Sequence, residues 1–168
     1  GLMYQGQMFE HPMALATATD QVNLIQRSWA IQKLDEVFKG AWKDKTIALW
    51  GLSFKPNTDD LREAPAVDLI REAVKKGAQV QAYDPIAMEN SKNWIGEEIS
   101  QGRVHLVDEP YQALEGASAL AVMTEWHDFR SPNFQRIQKT LIDSVLIDGR
   151  NLYGPEISKE YGIQYFGV

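Results

Sequence analysis

The sequence predicts an α/β fold: a doubly wound, mostly parallel six-stranded sheet preceded by a long N-terminal helix. Three observations predict it. Short apolar runs alternate with helical patterns from Lys45 onward. Helical stretches separate most of these runs, which implies right-handed βαβ units. A long helical stretch precedes the alternation and ends at Gly40.

The first helix reads from about Met13 to Lys39, after residues 1–12, which show no clear periodicity. It carries two apolar stripes. Val22, Ile25 and Trp29 form one; Leu24, Ile31, Leu34 and Phe38 form the other. At about 100° per residue the two faces are nearly opposite. Burial on both sides predicts a partner beyond the helix's own domain, with a helix crossing a large core as the alternative. The chain thus divides into residues 1–40 and an α/β domain, 41–168.

Within the domain, Thr46–Leu52 reads as a buried strand. Pro65 to Lys76 is helical: Pro65 suits the first turn, Ala66, Leu69, Ile70, Ala73 and Val74 form the apolar face, and Gly77 ends it. Gln79–Tyr83 is the second strand, Pro85–Ile99 a helix and Val104–Val107 the third strand. Tyr111–Leu114 is a short helix, Ala119–Met123 the fourth strand and Asn133–Leu141 a helix. Val145–Ile147 and Ile163–Phe166 complete the sheet. Ligands of such sheets bind beyond the carboxyl ends of the strands, here after Gly51, Tyr83, Met123 and Ile147.

Composition narrows the function. The 168 residues are 44% hydrophobic and 24% charged, as globular domains are. No cysteine is present, so disulfides, thiolate zinc sites and a cysteine nucleophile are excluded from this chain. No apolar run approaches the ~18–20 residues of a membrane span, and the first residues lack the basic start plus apolar core of a signal peptide. A cytoplasmic setting is expected. The net charge is −6 and the pI about 5.1, against the basic excess of nucleic-acid binders. An anionic ligand would therefore need a few local cations. The chain starts at Gly1 rather than Met and reads as a piece of a longer protein.

The stretch Gly51 to Pro65 is the most informative. A self-sufficient dinucleotide site would carry Gly-x-Gly-x-x-Gly here; instead one glycine is followed by Leu52 and Phe54. Side-chain cations replace it. Lys55 and Arg62 flank a turn containing Pro56, Asn57, Thr58, Asp59 and Asp60. Lys offers a mobile point charge and Arg a fixed fork of donors, near a helix N-terminus that also favours anions. Asp59 and Asp60 oppose a simple phosphate site; helix capping and ion pairing with Lys55 and Arg62 would account for them. A solvated turn with incidental charges is the alternative.

The string Phe54 to Pro65 closely resembles the signature of the UDP-glucose/GDP-mannose dehydrogenase family, in its C-terminal domain. Tyr83-Asp84-Pro85, Thr124-Glu125-Trp126 and Asp148-Gly149-Arg150-Asn151 follow in the family's order. Val22 to Gln26 resembles the family's central helix, which joins two domains and forms the dimer interface, so residues 1–40 correspond to that region. Asn57-Thr58 and Arg150 to Tyr153 look closer to the UDP-glucose branch.

The resemblance implies a domain of an enzyme that oxidises the sugar C6 alcohol to a carboxylate with two molecules of NAD, in nucleotide-sugar metabolism. It also implies an N-terminal NAD-binding domain and a thioester-forming cysteine, neither of which this chain carries, so the chain alone is expected to be inactive. By the family pattern, Phe54, Lys55 and Arg150 contact the UDP-sugar and Arg62 reaches NAD across an interdomain cleft; a homodimer forms through the first helix. From the residues themselves, Gly149 permits a tight turn that projects Arg150 into the cleft, with a surface ion pair as the alternative.

Asp84 stands where a ribose-binding acid would stand, but Asp-Pro reads better as a helix cap. Thr124, Glu125 and Trp126 either line the cleft or cap and pack. His105 and His127 lack a nearby nucleophile, and no ligand spacing supports a metal. Three other readings remain in view. One is a non-catalytic regulatory or oligomerisation module of the same fold. Another is a domain of a GDP-mannose or UDP-N-acetylhexosamine dehydrogenase. The third is a phospho-receiver domain, disfavoured because the fifth strand ends in Asp-Gly-Arg rather than Lys.

Overall fold

A computed structural model describes residues 14–168 of the chain, with side chains from residue 25 onward. The calls on residues 1–12, and on the side chains of Val22 and Leu24, lie outside the described residues. All six strands are parallel: β1 Thr46–Trp50, β2 Gln79–Tyr83, β3 Val104–Leu106, β4 Ala119–Val122, β5 Val145–Asp148 and β6 Gln164–Gly167. Their order is β3-β2-β1-β4-β5-β6. Chain direction across the sheet therefore reverses between β1 and β4, and a crevice opens beyond their carboxyl ends.

Helices cover both faces. On one lie α1 (Ala14–Phe38), α2 (Pro65–Lys75) and α3 (Met88–Ser100), with Ala30, Leu34, Ile70 and Ile95 packed on Ile47, Leu49, Val80 and Ile147. On the other lie α4 (Phe134–Thr140), α5 (Glu156–Tyr161) and two single 3₁₀ turns, around Trp50, Leu120, Phe129, Ile137 and Leu146. Central strands β4 and β5 are buried at every residue, which is why β4 and the first three residues of β5 are continuously apolar rather than alternating, with buried Asp148 closing β5. Helix α1 seats Ala30, Leu34 and Phe38 against the sheet domain, while Ile25 stays 61% exposed.

Several boundaries differ from the sequence expectation for identifiable reasons. The first strand stops at Trp50, because the amides of Leu52 and Ser53 turn inward to the Asp84 carboxylate. Helix α3 begins at Met88, not Pro85: Asp84 Oδ1 accepts from the amides of Ile86 and Ala87 and holds a turn there first. The helix is kinked at Ile95, and the Trp94 carbonyl accepts from Arg71 Nη2 at 2.8 Å. Helix α5 was not expected, though Pro155 before it and Gly162 after it (φ 68°) are its start and stop.

Asp59 and Asp60 do not cap α2. Its N-cap is Ala64, with no side-chain cap. Gly149 does not have a left-handed backbone either; that role falls to Asn151, at φ 53°. Gly149 is instead required by close packing, since a Cβ there would lie 3.1 Å from Met123 Sδ and 3.2 Å from the Val122 carbonyl.

Gly51 closes the crevice. It has φ 90°, and a Cβ would lie 2.7 Å from the Thr124 amide nitrogen. Thr124 Oγ1 in turn donates to the Ser53 carbonyl at 2.6 Å. Gly51→Ala combines backbone strain with a clash against backbone, and should cost about 2–4 kcal/mol. Urea unfolding checks this; a loss under about 0.5 kcal/mol would show that the β4 turn can yield.

Candidate functional site

Three strand ends build the site: the β1 turn carries Phe54 and Lys55, the β4 turn carries Met123 to Trp126, and the β5 turn carries Arg150. The β1 and β4 turns are fixed by Asp84, whose residue is 1% exposed. Its Oδ2 accepts from the Leu52 amide (2.8 Å), the Ser53 amide (3.2 Å), Ser53 Oγ (3.3 Å) and Trp126 Nε1 (3.1 Å). With Oδ1 holding the start of the next segment, both oxygens are spent. Asp84 does not cap the helix as the sequence suggests, since the N-cap is Ala87 with no side-chain cap; it holds the turn ahead of the helix instead, and its depth keeps it from any ribose. Thr124 and Trp126 are likewise buried and internally bonded, so they pack rather than line a cleft.

A second buried carboxylate shapes the β5 turn. Asp148 Oδ1 accepts from the Arg150 amide (3.1 Å), and Oδ2 from the Tyr153 amide (2.9 Å) and the Tyr165 hydroxyl (3.0 Å). Burial, with the Asp148 charge nearby, pushes the Tyr153 and Tyr165 hydroxyls up from their ordinary value. Both stay protonated donors at neutral pH. The turn they fix aims the Arg150 side chain across the crevice.

Arg150 ties the three turns together. Its Nε donates to the Met123 carbonyl at 2.8 Å, and Nη2 to the Phe54 carbonyl at 2.7 Å. Glu125 Oε2 lies 3.2 Å from Nε, yet the Nε proton is directed at Met123, so that buried oxygen is near positive charge without a hydrogen bond. Among the described residues, Arg150 Nη1 and one Nη2 hydrogen have no hydrogen-bond partner. The ion pair is present, but two carbonyls orient the fork.

In front of Arg150 is a cavity of about 510 Å³, walled by Phe54, Glu63, Met123 and Gly149 on the domain side and by Gln26 and Trp29 of α1 on the other. That volume suits a small organic ligand. Arg27 also borders it but is committed to Asp68, Nη2 to Oδ2 at 2.7 Å. The structure thus brings Phe54 and Arg150 together in one wall. Lys55 and Arg62 are exposed and do not line the cavity. Sequence reasoning had no signal for Glu63 as a wall residue and treated Trp29 only as part of an apolar stripe.

Arg62 forms a bidentate pair with Asp60: Nε to Oδ1 at 3.0 Å and Nη2 to Oδ2 at 2.7 Å. This is the orienting ion pair foreseen for the turn. His105 and His127 are exposed, and no group of side chains that could hold a metal occurs among the described residues.

Residues 48–155 match the UDP binding domain of the UDP-glucose/GDP-mannose dehydrogenase family. The chain belongs to this family. It is 43% identical over 151 residues to a UDP-glucose 6-dehydrogenase of Pseudomonas aeruginosa, covering 90% of the chain and 33% of the relative. A UDP-glucose 6-dehydrogenase of Rhizobium meliloti is 34% identical over 167 residues, 99% of the chain and 37% of the relative. The structure of a UDP-glucose dehydrogenase from Pyrobaculum islandicum superimposes with a TM-score of 0.80 at 28% identity, over 99% of the chain and 34% of that protein. The chain spans about a third of the length of these relatives.

The Arg62 guanidinium, by hydrogen bonds to Asp60, holds that carboxyl at about 2, below its usual 3.8. The folded value is depressed, so the pair contributes above the unfolded value and is lost as pH falls through about 2. Carboxyl NMR should show Asp60 titrating near pH 2; a midpoint near 3.8 would mean that the pair does not form in solution.

Proposed function

We propose that this chain is the nucleotide-sugar-binding domain of an NAD-dependent UDP-glucose 6-dehydrogenase. One observation carries the reading: Arg150, held by two carbonyls and with donors to spare among the described residues, lines a 510 Å³ cavity together with Phe54, in a domain of this family. An arginine fork so held is preorganised for a diphosphate. Phe54 supplies an apolar wall, and Lys55 on the same loop a mobile charge at the rim. UDP-glucose is favoured over GDP-mannose because the Pseudomonas and Rhizobium relatives are UDP-glucose 6-dehydrogenases.

The residues here do not build a dinucleotide site. Leu52 and Ser53 amides serve Asp84, the Phe54 amide serves the Asp60 carbonyl, and Gly51 is used against Thr124. NAD would therefore be held by another domain of the whole protein, with exposed Arg62 reaching it across the cleft. In that arrangement the other domain closes the cavity, excludes water and supplies the reacting groups, and residues 14–168 alone bind without turning over. Residues 1–40 then belong to the linker region, and the α/β domain to 41–168.

Titration with UDP, UDP-glucose and GDP-mannose, followed by amide NMR, tests the binding. Shifts at Phe54, Lys55 and Arg150 with the uridine ligands alone are expected. Shifts with none of the three at millimolar concentration would contradict the reading.

We also propose that α1 pairs with a second copy of the chain. Ile25 is 61% exposed on a helix whose opposite side already buries Leu34. Light scattering should give a dimer, and Ile25→Asp a monomer. A monomeric parent chain would remove this interface.

A further inference from the structure

Glu63 is the anomaly of the cavity wall. Its φ is 57°, in the left-handed region, where glycine is the residue without steric cost. Yet the position carries a long acidic side chain. It is exposed and borders the same cavity as Arg150 and Phe54. The adjacent cation, Arg62, is committed to Asp60. Among the described residues the Glu63 carboxylate makes no ion pair or hydrogen bond. A left-handed backbone at a cavity-lining residue whose carboxylate is unengaged among the described residues calls for a ligand-side explanation.

The chemistry of the wall restricts that ligand group. An ionised carboxylate only accepts hydrogen bonds, and it repels a phosphate. The anionic part of the ligand therefore belongs with Arg150, and a donor-rich, uncharged part with Glu63. Vicinal hydroxyls match the two oxygens of one carboxylate. Building on the nucleotide-sugar reading above, we propose that Glu63 binds a vicinal diol of the nucleotide sugar, and that its left-handed backbone is retained for that contact. The diol belongs either to the ribose or to the hexose, and comparison of two ligands separates them.

Two variants divide strain from contact. Glu63→Gln keeps size and backbone but removes the charge. Melting temperature should hold, and UDP-glucose affinity should fall about tenfold, the loss expected for hydrogen bonds to a charged group. Glu63→Gly removes contact and strain together, so affinity should fall as far while the melting temperature rises by about 2 °C. An equal loss for UDP assigns the ribose; a loss confined to UDP-glucose assigns the hexose. Arg150→Ala serves as the control. If both Glu63 variants bind as the parent does while Arg150→Ala binds weakly, the Glu63 proposal is overturned and the site stands. If Arg150→Ala binds as the parent does, the site reading falls, and this proposal with it.

Discussion

Asp84 carries a carboxylate into the interior at the carboxyl end of β2, and the site is arranged around it. A buried charge is costly unless donors surround it. Here the donors come from three segments: the β1 turn through Leu52 and Ser53, the β4 turn through Trp126, and the start of the β2–α3 connection through Ile86 and Ala87. Satisfying one anion thus fixes the relative positions of the loops that flank the crevice. It also spends the backbone amides that a dinucleotide-binding sheet would offer to a pyrophosphate. An anion in the crevice would have to be met by side chains rather than by these amides.

Arg150 follows from that shift. Its turn is set by Asp148, and its fork by the carbonyls of Met123 and Phe54. A lysine would have to serve both carbonyls from one nitrogen, whereas the arginine divides them between Nε and Nη2 and keeps the rest of its planar fork. In a chain of net charge −6, one oriented guanidinium lines the crevice, while Lys55 and Arg62 are exposed outside the cavity wall. Glu125 and Asp60 temper two of these cations at close range.

Much of this was legible in the sequence. The alternation of apolar runs and helices gave the doubly wound sheet because strands buried on both faces must be continuously apolar. Missing glycines after Gly51 excluded a self-sufficient dinucleotide site, and the spent amides of Leu52 and Ser53 give the physical reason. What could not be read was three-dimensional bonding. Asp84 looked like a helix cap because it precedes Pro85, yet only two of its six hydrogen bonds come from sequence neighbours, and the other four come from residues more than thirty positions away. Gly149 is in a turn, as its position after β5 suggested, but what bears on it there is close packing against Met123 and the Val122 carbonyl rather than a left-handed backbone. Glu63 gave no signal, because a left-handed backbone at a glutamate leaves no pattern in composition or periodicity.

The crystal structure of this chain with UDP-glucose tests the central claim, that the crevice is assembled before ligand arrives. We expect the turns after β1 and β4 to keep their positions. Arg150 should still be bonded to the carbonyls of Met123 and Phe54, with its remaining donors on the diphosphate. A ligand bound away from Arg150, or an Arg150 that has left both carbonyls to reach it, would contradict the claim.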